Sequence, residues 1–282
     1  MADGSPRGNR NAFADIDITK PNVARVYDYF VGGKDNFAAD RDYANKVIEV
    51  APKAPLGAQY NREFLRRVVR YLTAVVGIDQ FLDLGSGLPT QGNVSEVAHE
   101  INPAAHVVYV DNDPMVYIHS RALLADAVTV NIVNADVRDP AEILADPTVR
   151  SLLDFDRPIG LLMLAVLHHL QDDEEPAAIV ARFRDAVPSG SHLAISSFRM
   201  PDPEIPEFPG LRKVTIDNEK VIAGGLGSGR WREQDELVTW FGDWELLPPG
   251  FVPLLDWRPP TDEPVEHDEV YHSFYGGVAR KR

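Results

Sequence analysis

The sequence predicts an α/β fold built on a doubly wound, mostly parallel sheet. From about residue 61 onward, short β-branched runs alternate with helical segments, which is typical of successive strand–helix–strand units. Three of these runs end in an acidic residue, namely Asp83, Asp111 and Asp136. Since parallel strands bring their carboxyl ends to one edge, where such sheets bind ligands, we expect these carboxylates to surround a bound molecule.

The N-terminal part is predicted to form helices that precede the sheet. Residues 1–14 are rich in Gly, Arg and Asn, which predicts a disordered tail. Apolar residues at helical spacing then predict a short helix that ends at Gly32 and a second helix that ends before Pro52. We interpret 15–60 as an N-terminal helical cap and 61–282 as the main domain.

The remaining elements follow from the same periodicities and from turn residues. Helices are predicted at 61–76, 94–101, 115–125, 176–187 and near 232–242. Strands are predicted at 80–84, 106–111, 128–133, 159–166, 192–197, 251–257 and 270–278. The glycine-rich segment 224–229 follows no apolar strand, so it predicts a lid or a plain loop rather than a nucleotide-binding turn.

The turn after the first strand indicates a nucleoside-bearing ligand. Gly85 and Gly87 allow the backbone to approach a ligand closely. Asp111 follows Gly87 by about 24 residues, close to the spacing at which an acid reaches ribose hydroxyls. Thr90 stands where a dinucleotide fingerprint has its third glycine, which disfavours NAD. ATP is also disfavoured, because no basic residue near this turn could meet a phosphate.

Composition excludes several other classes of function. The formal net charge of -15 over 282 residues disfavours a broad nucleic-acid surface. Arg62, Arg66 and Arg70 share one helical face with Arg67 beside it, and we interpret them as a solvated basic face. With no cysteine, the chain has no disulfide and no thiolate zinc site, and we expect no metal. The N-terminus lacks an apolar signal core and no run reaches about 18 apolar residues, so we expect a cytoplasmic protein outside the membrane.

Four motifs accompany the predicted strands: FLDLGSGLPT, VVYVDNDP, NADVRDP and LLMLAVLHHL. Together they resemble the successive motifs of class I S-adenosylmethionine-dependent methyltransferases. The stretches KPNVARVYDYFVGGKDNFAADRDYA and NREFLRRVVRYL further resemble a bacterial methyltransferase family long catalogued as a domain of unknown function. The resemblance runs from about Asp17 to the C-terminus. It implies a Rossmann-like sheet with an antiparallel last strand and S-adenosylmethionine as cofactor, but no particular substrate.

The resemblance also implies which residues bind the cofactor. Asp83, Gly85 and Gly87 would line the methionine moiety, and Asp111 would bind both ribose hydroxyls. Ser86 is also expected to contact the cofactor. The adenine would be bordered by Asn112, Asp136 and Val137. Tyr29 of the cap, and Asn61 and Arg62 ahead of the first strand, are expected to approach the same molecule.

We expect methyl transfer to an O or N nucleophile of a small-molecule acceptor. A hydroxyl nucleophile needs a general base, and of the two histidines after the fourth strand we favour His168 over His169. Two alternatives stay open: a non-catalytic protein that binds S-adenosylmethionine or S-adenosylhomocysteine, and an NAD-dependent oxidoreductase. The sequence leaves the oligomeric state open.

Overall fold

The computed structural model describes residues 16–89, 92–124, 127–261 and 265–282. Its strands are β1 (Gln80–Leu84), β2 (His106–Asp111), β3 (Val130–Asn134), β4 (Gly160–Leu164), β5 (His192–Phe198), β6 (Glu245–Leu246), β7 (Val252–Pro253) and β8 (Phe274–Arg280). Within the described residues they form one sheet of order β3-β2-β1-β4-β5-β8-β6, with β7 also paired to β8. The first five strands are parallel, and β8 is antiparallel to β5. The predicted α/β sheet with its antiparallel last strand is confirmed.

Helices cover both faces of this sheet and one end of it. They are α1 (Val23–Phe30), α2 (Ala38–Val50), α3 (Ala54–Tyr71), α4 (Val94–His99), α5 (Pro114–Leu123), α6 (Pro140–Ala145), α7 (Pro147–Leu152), α8 (Pro176–Ala186), α9 (Leu211–Leu226) and α10 (Gln234–Thr239). A π-helical turn, Leu72–Val76, continues α3. The boundary that we predicted between cap and domain, at residue 60, falls inside α3, so that division stays a prediction.

The core lies on the two faces of the sheet because successive side chains of a strand point in opposite directions. In β2, Val107 and Tyr109 pack in one apolar cluster, whereas Val108 and Val110 pack in the other. All four are buried, as expected for a parallel strand covered on both sides. The polar residue Asp111 at the end of this strand therefore lies at the sheet edge, where both apolar clusters end.

A third apolar cluster joins α1, α2 and α9 into one layer over the carboxyl edge of the sheet, which we call the roof. Val26 of α1, Tyr43 and Val47 of α2 and Ile222 of α9 are buried together in it. The Tyr43 hydroxyl donates a hydrogen bond of 2.9 Å to the Val221 carbonyl, which fixes α9 against α2. The roof thus combines the predicted N-terminal helices with a helix from the C-terminal half.

Helix α1 is also joined to α2 by a buried ion pair. The Arg25 Nε lies 3.1 and 3.0 Å from the two carboxylate oxygens of Asp40. Asp40 accepts further hydrogen bonds from the backbone N–H groups of Asn22 and Phe37, so its charge is fully met by donors. Buried charges are tolerated when they are paired and hydrogen-bonded in this way.

Two C-terminal predictions were wrong. The segment 224–229 was predicted as a loop, but residues 224–226 are the last turn of α9, a helix that we did not predict. The predicted strand 251–257 is only the short β7, followed by a 3-10 turn at Leu254–Asp256. The reason is Arg67, whose guanidinium donates to the carbonyls of Trp257 and Leu254 and so satisfies backbone groups that a strand would have paired.

Several helices and strands begin or end at residues other than those predicted. Helix α3 begins at Ala54 rather than residue 61, with a proline in its first turn. Strand β4 ends at Leu164 because Ala165 adopts a positive φ of 56°, and β8 begins at Phe274 rather than residue 270. The predicted tail 1–14 and Thr90 lie outside the described residues.

Two adjacent glycines of α9 allow a direct test of the roof. A Cβ on Gly225 would lie 1.9 Å from Tyr43 Cε2, whereas a Cβ on Gly224 meets no atom within 4 Å. We expect Gly225→Ala to lower the free energy of unfolding by about 1–3 kcal/mol through overpacking. Gly224→Ala should raise it by roughly 0.5–1 kcal/mol, because alanine is the better helix former. Denaturant unfolding measures both, and equal effects of the two changes would contradict this packing.

Candidate active site

A cavity of about 450 Å³ lies between the carboxyl edge of the sheet and the roof. Its lining includes almost all the residues expected to bind the cofactor, contributed by α3 and by the segments that follow β1, β2 and β3. They are Asn61, Arg62, Asp83, Gly85, Ser86, Gly87, Asp111, Asn112, Asp136 and Val137, and His168 lines the cavity as well. The parallel register explains their convergence, since Asp83 of β1 pairs with Tyr109 of β2 and Asp111 of β2 pairs with Asn134 of β3.

Tyr29 is not brought to this cavity. Its hydroxyl lies 3.4 Å from Asn45 Oδ1 at the exposed side of α1. The tyrosine of α1 that lines the cavity is instead Tyr27. Tyr27 and Tyr29 point to different sides because residues two apart on a helix do not share a face.

The turn after β1 has the backbone conformation that its glycines permit. Gly85 and Gly87 have φ values of 75° and 68°, in the left-handed region that favours glycine. A Cβ on Gly85 would lie 2.5 Å from Val166 Cγ2, whereas a Cβ on Gly87 would meet no protein atom within 4 Å. Gly87 thus leaves room for a ligand to approach the backbone. Among the described residues, nothing hydrogen-bonds the buried Oγ of Ser86, which also lines this space.

Asp111 holds this turn in place. Its Oδ2 accepts a hydrogen bond of 2.8 Å from the Gly87 N–H, and its Oδ1 accepts one of 3.0 Å from the Asp113 N–H. Burial raises the pKa of Asp111 to about 6, although the two N–H donors work in the opposite direction. The carboxylate therefore links the ends of β1 and β2 to the N-terminus of α5, where Asp113 caps the helix.

Asp83 is the most strongly perturbed acid of the site. Its side chain is buried, and this burial raises its pKa to about 7. The nearby charge of Arg62 opposes the shift, while Asp111 adds to it. Because an ionised carboxylate in such surroundings is stabilised by a nearby cation, Asp83 suits a positively charged ligand group.

Asp136 has the opposite electrostatic character. Although burial acts against the shift, hydrogen bonds from Arg138 at 2.8 and 2.7 Å, and one from Asn112 at 2.9 Å, hold its pKa below the ordinary value. Arg138 also bonds Glu174 at 2.7 Å. The two residues that we expect at the adenine, Asn112 and Asp136, are therefore in direct contact. Arg138 and Glu174 were not predicted, since their pairing joins segments 36 residues apart.

Asn61 belongs to a buried hydrogen-bond chain. Its Oδ1 accepts a hydrogen bond of 2.6 Å from Ser196 Oγ, and its Nδ2 donates one of 3.1 Å to the Tyr27 hydroxyl. Tyr27 in turn donates to the Ala58 carbonyl at 3.0 Å. These contacts connect α3 with β5 and α1, so Asn61 holds Tyr27 against the cavity. These hydrogen bonds could not be predicted from sequence patterns, because Ser196 lies 135 residues from Asn61.

The two histidines after β4 differ in their surroundings. His168 is buried among the rings of Phe198, Trp231 and Phe274, and its Nδ1 accepts a weak hydrogen bond of 3.4 Å from the Phe198 N–H. Burial, with the charges of His169 and Arg232, holds the pKa of His168 well below its ordinary value. His169 is only partly buried and its Nδ1 lies 3.0 Å from Ser228 Oγ. Burial lowers the pKa of His169 to about 4.

Helix α9 adds cavity residues that we did not foresee. Asn218, Ile222 and Leu226 line the roof side, at the four-residue spacing that places them on one face. This face was detectable in principle, because Leu211, Thr215 and Ile222 form its buried stripe. In the described ranges no three His, Asp or Glu side chains converge as metal ligands would. None of the helices described there is long and apolar enough to cross a membrane.

Comparison with known proteins identifies the family. Residues 9–282 match the model of a family described as S-adenosyl methyltransferase. The chain belongs to this family. It is an S-adenosylmethionine-dependent methyltransferase, with S-adenosylmethionine as its cofactor. The resemblance to a methyltransferase family that we found in the sequence is therefore confirmed, as are the predicted enzyme class and cofactor.

Solved structures agree with this membership. A candidate methyltransferase from Thermobifida fusca YX is 42% identical, with a TM-score of 0.87 over 94% of this chain and 97% of that one. A DUF574 family protein from Streptomyces avermitilis MA-4680 is 35% identical, with a TM-score of 0.86 over 94% and 99%. An O-methyltransferase family protein from Burkholderia thailandensis is 12% identical over 83% and 61%, with a TM-score of 0.51, and shows the fold alone. No protein with a curated description matches the chain.

The cavity of this methyltransferase fits its cofactor on structural grounds. The space beside Gly87 admits a close ligand, and the Ser86 Oγ offers a hydrogen-bonding group without a described partner. Asp83 suits a cationic group, and Asp111 offers an acceptor for hydroxyls. We propose that Asp83, Ser86 and Gly87 hold the methionine part, Asp111 the ribose, and Asn112, Asp136 and Val137 the adenine.

Removal of the Asp111 carboxylate tests the ribose assignment. We expect Asp111→Ala to weaken S-adenosylmethionine binding by roughly 1.5–3 kcal/mol while the protein stays folded, because charge-assisted hydrogen bonds are lost. Asp79→Ala is a matched control, since Asp79 pairs with Arg157 just before the start of β1, away from the cavity. Calorimetric titration measures both affinities, and an unchanged affinity in Asp111→Ala would remove the assignment.

The raised pKa of Asp83 predicts a pH-dependent penalty on stability. A carboxyl whose folded-state pKa is raised from 3.8 to about 7 favours folding below the lower value and loses this contribution as pH rises through about 7. Asp83→Asn should therefore raise the unfolding free energy at pH 8, by an amount on the order of 4 kcal/mol, with little effect near pH 4.

Asp136→Asn serves as the control because the pKa of Asp136 is lowered instead. Its contribution is present above the ordinary pKa and is lost as pH falls, so this variant should be destabilised at pH 8. Scanning calorimetry at the two pH values compares the variants. A lower stability of Asp83→Asn than of the parent protein at pH 8 would disprove the desolvation argument.

Proposed function

We propose that this methyltransferase transfers a methyl group to an O or N nucleophile of a small molecule. The observation that carries the proposal is the roof, since α1, α2 and α9 cover the end of the cavity next to β4, β5 and β8. Val26, Val47 and Ile222 line that end from above. Such a covered pocket suits a small acceptor better than an exposed stretch of protein or nucleic acid.

S-adenosylmethionine supplies a methyl group that is already electrophilic, so the chain mainly has to bind, orient and exclude water. The wall under the roof serves these tasks with a stack of rings. The Phe198 ring lies nearly parallel to the Trp231 ring, with centroids 5.2 Å apart and an interplanar angle of 9°, and it also stacks on the Phe274 ring at a centroid distance of 4.1 Å. Rings stacked on one another have little freedom to move, which favours a fixed orientation of the acceptor.

The proton of a hydroxyl or amine nucleophile needs an acceptor, and both histidines are neutral near pH 7 because burial lowers each pKa. His168 stays a candidate from the sequence, but three rings surround it and its Nδ1 already accepts a hydrogen bond. His169 is more open and is paired with Ser228 on the cavity wall. We therefore propose His169 as the residue that meets the nucleophile, with His168 shaping the wall.

We further propose that the enzyme works in the cytoplasm of a bacterium. The origin of the two similar proteins in Thermobifida fusca and Streptomyces avermitilis supports the bacterial source. The cytoplasmic location stays a prediction.

Labelled S-adenosylmethionine tests the acceptor class. With a labelled methyl group and a cell extract as acceptor source, we expect label in the small-molecule filtrate and S-adenosylhomocysteine as product. Asp111→Ala protein should give much less of both at low cofactor concentration, which separates this enzyme from contaminants. Label confined to retained protein or nucleic acid would disprove a small-molecule acceptor.

A bulky residue in the roof should separate acceptor binding from cofactor binding. Ile222→Trp would fill the acceptor end and should lower methyl transfer by more than about tenfold, because misplaced reactants lose most of the benefit of orientation. S-adenosylhomocysteine affinity should change less than about threefold. Ile216→Trp is the matched control, since Ile216 is 38% exposed on the outer face of the same helix. Equal activity of the two variants would contradict the placement of the acceptor.

A further inference from the structure

The acceptor end of the cavity contains a polar group that the protein itself leaves unmet. Asn218 lines the cavity from α9, one turn before Ile222 and two turns before Leu226. Its Oδ1 is buried and accepts no hydrogen bond from the described residues. A buried carbonyl without a donor is unfavourable, and because Asn218 belongs to the cavity wall, a turn of its amide toward the cavity would let a ligand supply that donor.

The neighbours of Asn218 on α9 are engaged with the protein. Asp217 pairs with Lys213 and Lys220, and Glu219 accepts from the Trp231 N–H. Asn218 therefore differs from the residues beside it because its Oδ1 has no partner among the described residues. The helix is also fixed, because the Tyr43 hydroxyl bonds Val221 and the Tyr43 ring packs on Gly225. A fixed helix holds the Asn218 side chain at a constant place on the cavity wall.

A second polar pair lies on the same wall. Ser228 follows the C-terminus of α9, and its Oγ lies 3.0 Å from His169 Nδ1. The backbone of this region is joined to the histidine turn as well, since the Arg230 N–H donates to the His168 carbonyl at 2.8 Å. These hydrogen bonds thus fix the segment after α9 relative to the histidine turn after β4.

Among the described residues, the rest of this end is mostly apolar. Its walls are formed by Val26, Val47, Phe198, Ile222, Leu226 and Trp231. Most charged side chains that line the cavity belong instead to α3 and to the ends of β1, β2, β3 and β4 with the segments that follow, such as Arg62, Asp83 and Glu174. The roof helix α1 adds Asp28, whose carboxylate accepts hydrogen bonds from the Asp35 N–H and from Asn36 Nδ2. Burial of a charged acceptor against the apolar walls would be costly without a counter-charge.

We propose that Asn218, with the His169–Ser228 pair, forms the acceptor subsite. The acceptor is then an uncharged, largely apolar molecule that donates an N–H or O–H hydrogen bond to Asn218 Oδ1. This inference rests on the proposed small-molecule function and narrows it. It excludes sugars, phosphate esters and free carboxylates as preferred acceptors, because the walls provide neither enough donors nor a counter-charge for them.

Three small probes test the subsite in the full chain saturated with S-adenosylhomocysteine. Indole is uncharged and has one N–H donor, 1-methylindole lacks the donor, and indole-5-carboxylate adds a negative charge. Calorimetry or ligand-observed NMR should give an affinity for indole about tenfold above that for either analogue. Asn218→Ala should abolish the difference between indole and 1-methylindole, while S-adenosylhomocysteine affinity stays unchanged.

Val214→Ala is the control, since Val214 is 42% exposed on the outer face of α9, and it should keep the difference. The subsite is disproved if indole does not bind while S-adenosylhomocysteine does, if the carboxylate binds equally well, or if the preference for the N–H donor persists in Asn218→Ala. Failure of the proposed function would give a different result: in the experiment with labelled S-adenosylmethionine, the methyl label would enter only macromolecules.

Discussion

The site depends on the hydrogen bonds that Asp111 accepts from the backbone of Gly87 and Asp113. Through them one carboxylate fixes the glycine turn after β1 and the N-terminus of α5. The pairing of β1 with β2 is what brings these groups within reach. Since both strands are buried on both faces, their polar ends are confined to the sheet edge, where they line the ligand cavity.

The cavity divides into a charged part and an apolar part. The acids of the sheet edge lie in surroundings where burial raises the pKa of Asp83 and Asp111, which costs stability above neutral pH but suits a cationic cofactor. The roof and the ring stack of Phe198 and Trp231 provide the apolar part. Methyl transfer needs both environments side by side, because the cofactor is charged at the reacting centre and the reaction must be shielded from water.

The sheet, the glycine turn and the strand-end acids could be predicted because they depend on local patterns: β-branched runs, glycines and a fixed spacing to Asp111. The N-terminal helices of the roof were predicted, but α9 was not, because it carries two glycines near its end that suggest a loop and because it packs against Tyr43 about 180 residues away. The roles of Tyr27 and Arg67 were missed for the same reason: each hydrogen-bonds backbone carbonyls of distant or unpredicted segments. The cofactor side of the cavity could therefore be predicted from local sequence patterns. The acceptor side could not, because it depends on packing between residues far apart in the sequence.

The central claim is that the strand-end carboxylates and the glycine turn form a site for S-adenosylmethionine and not for a dinucleotide. Calorimetric titration of the purified protein with S-adenosylmethionine, S-adenosylhomocysteine and NAD, run side by side, tests it most directly. The account predicts saturable binding of the first two at one site per chain and no heat from NAD. Binding of NAD alone, or of none of the three, would contradict it.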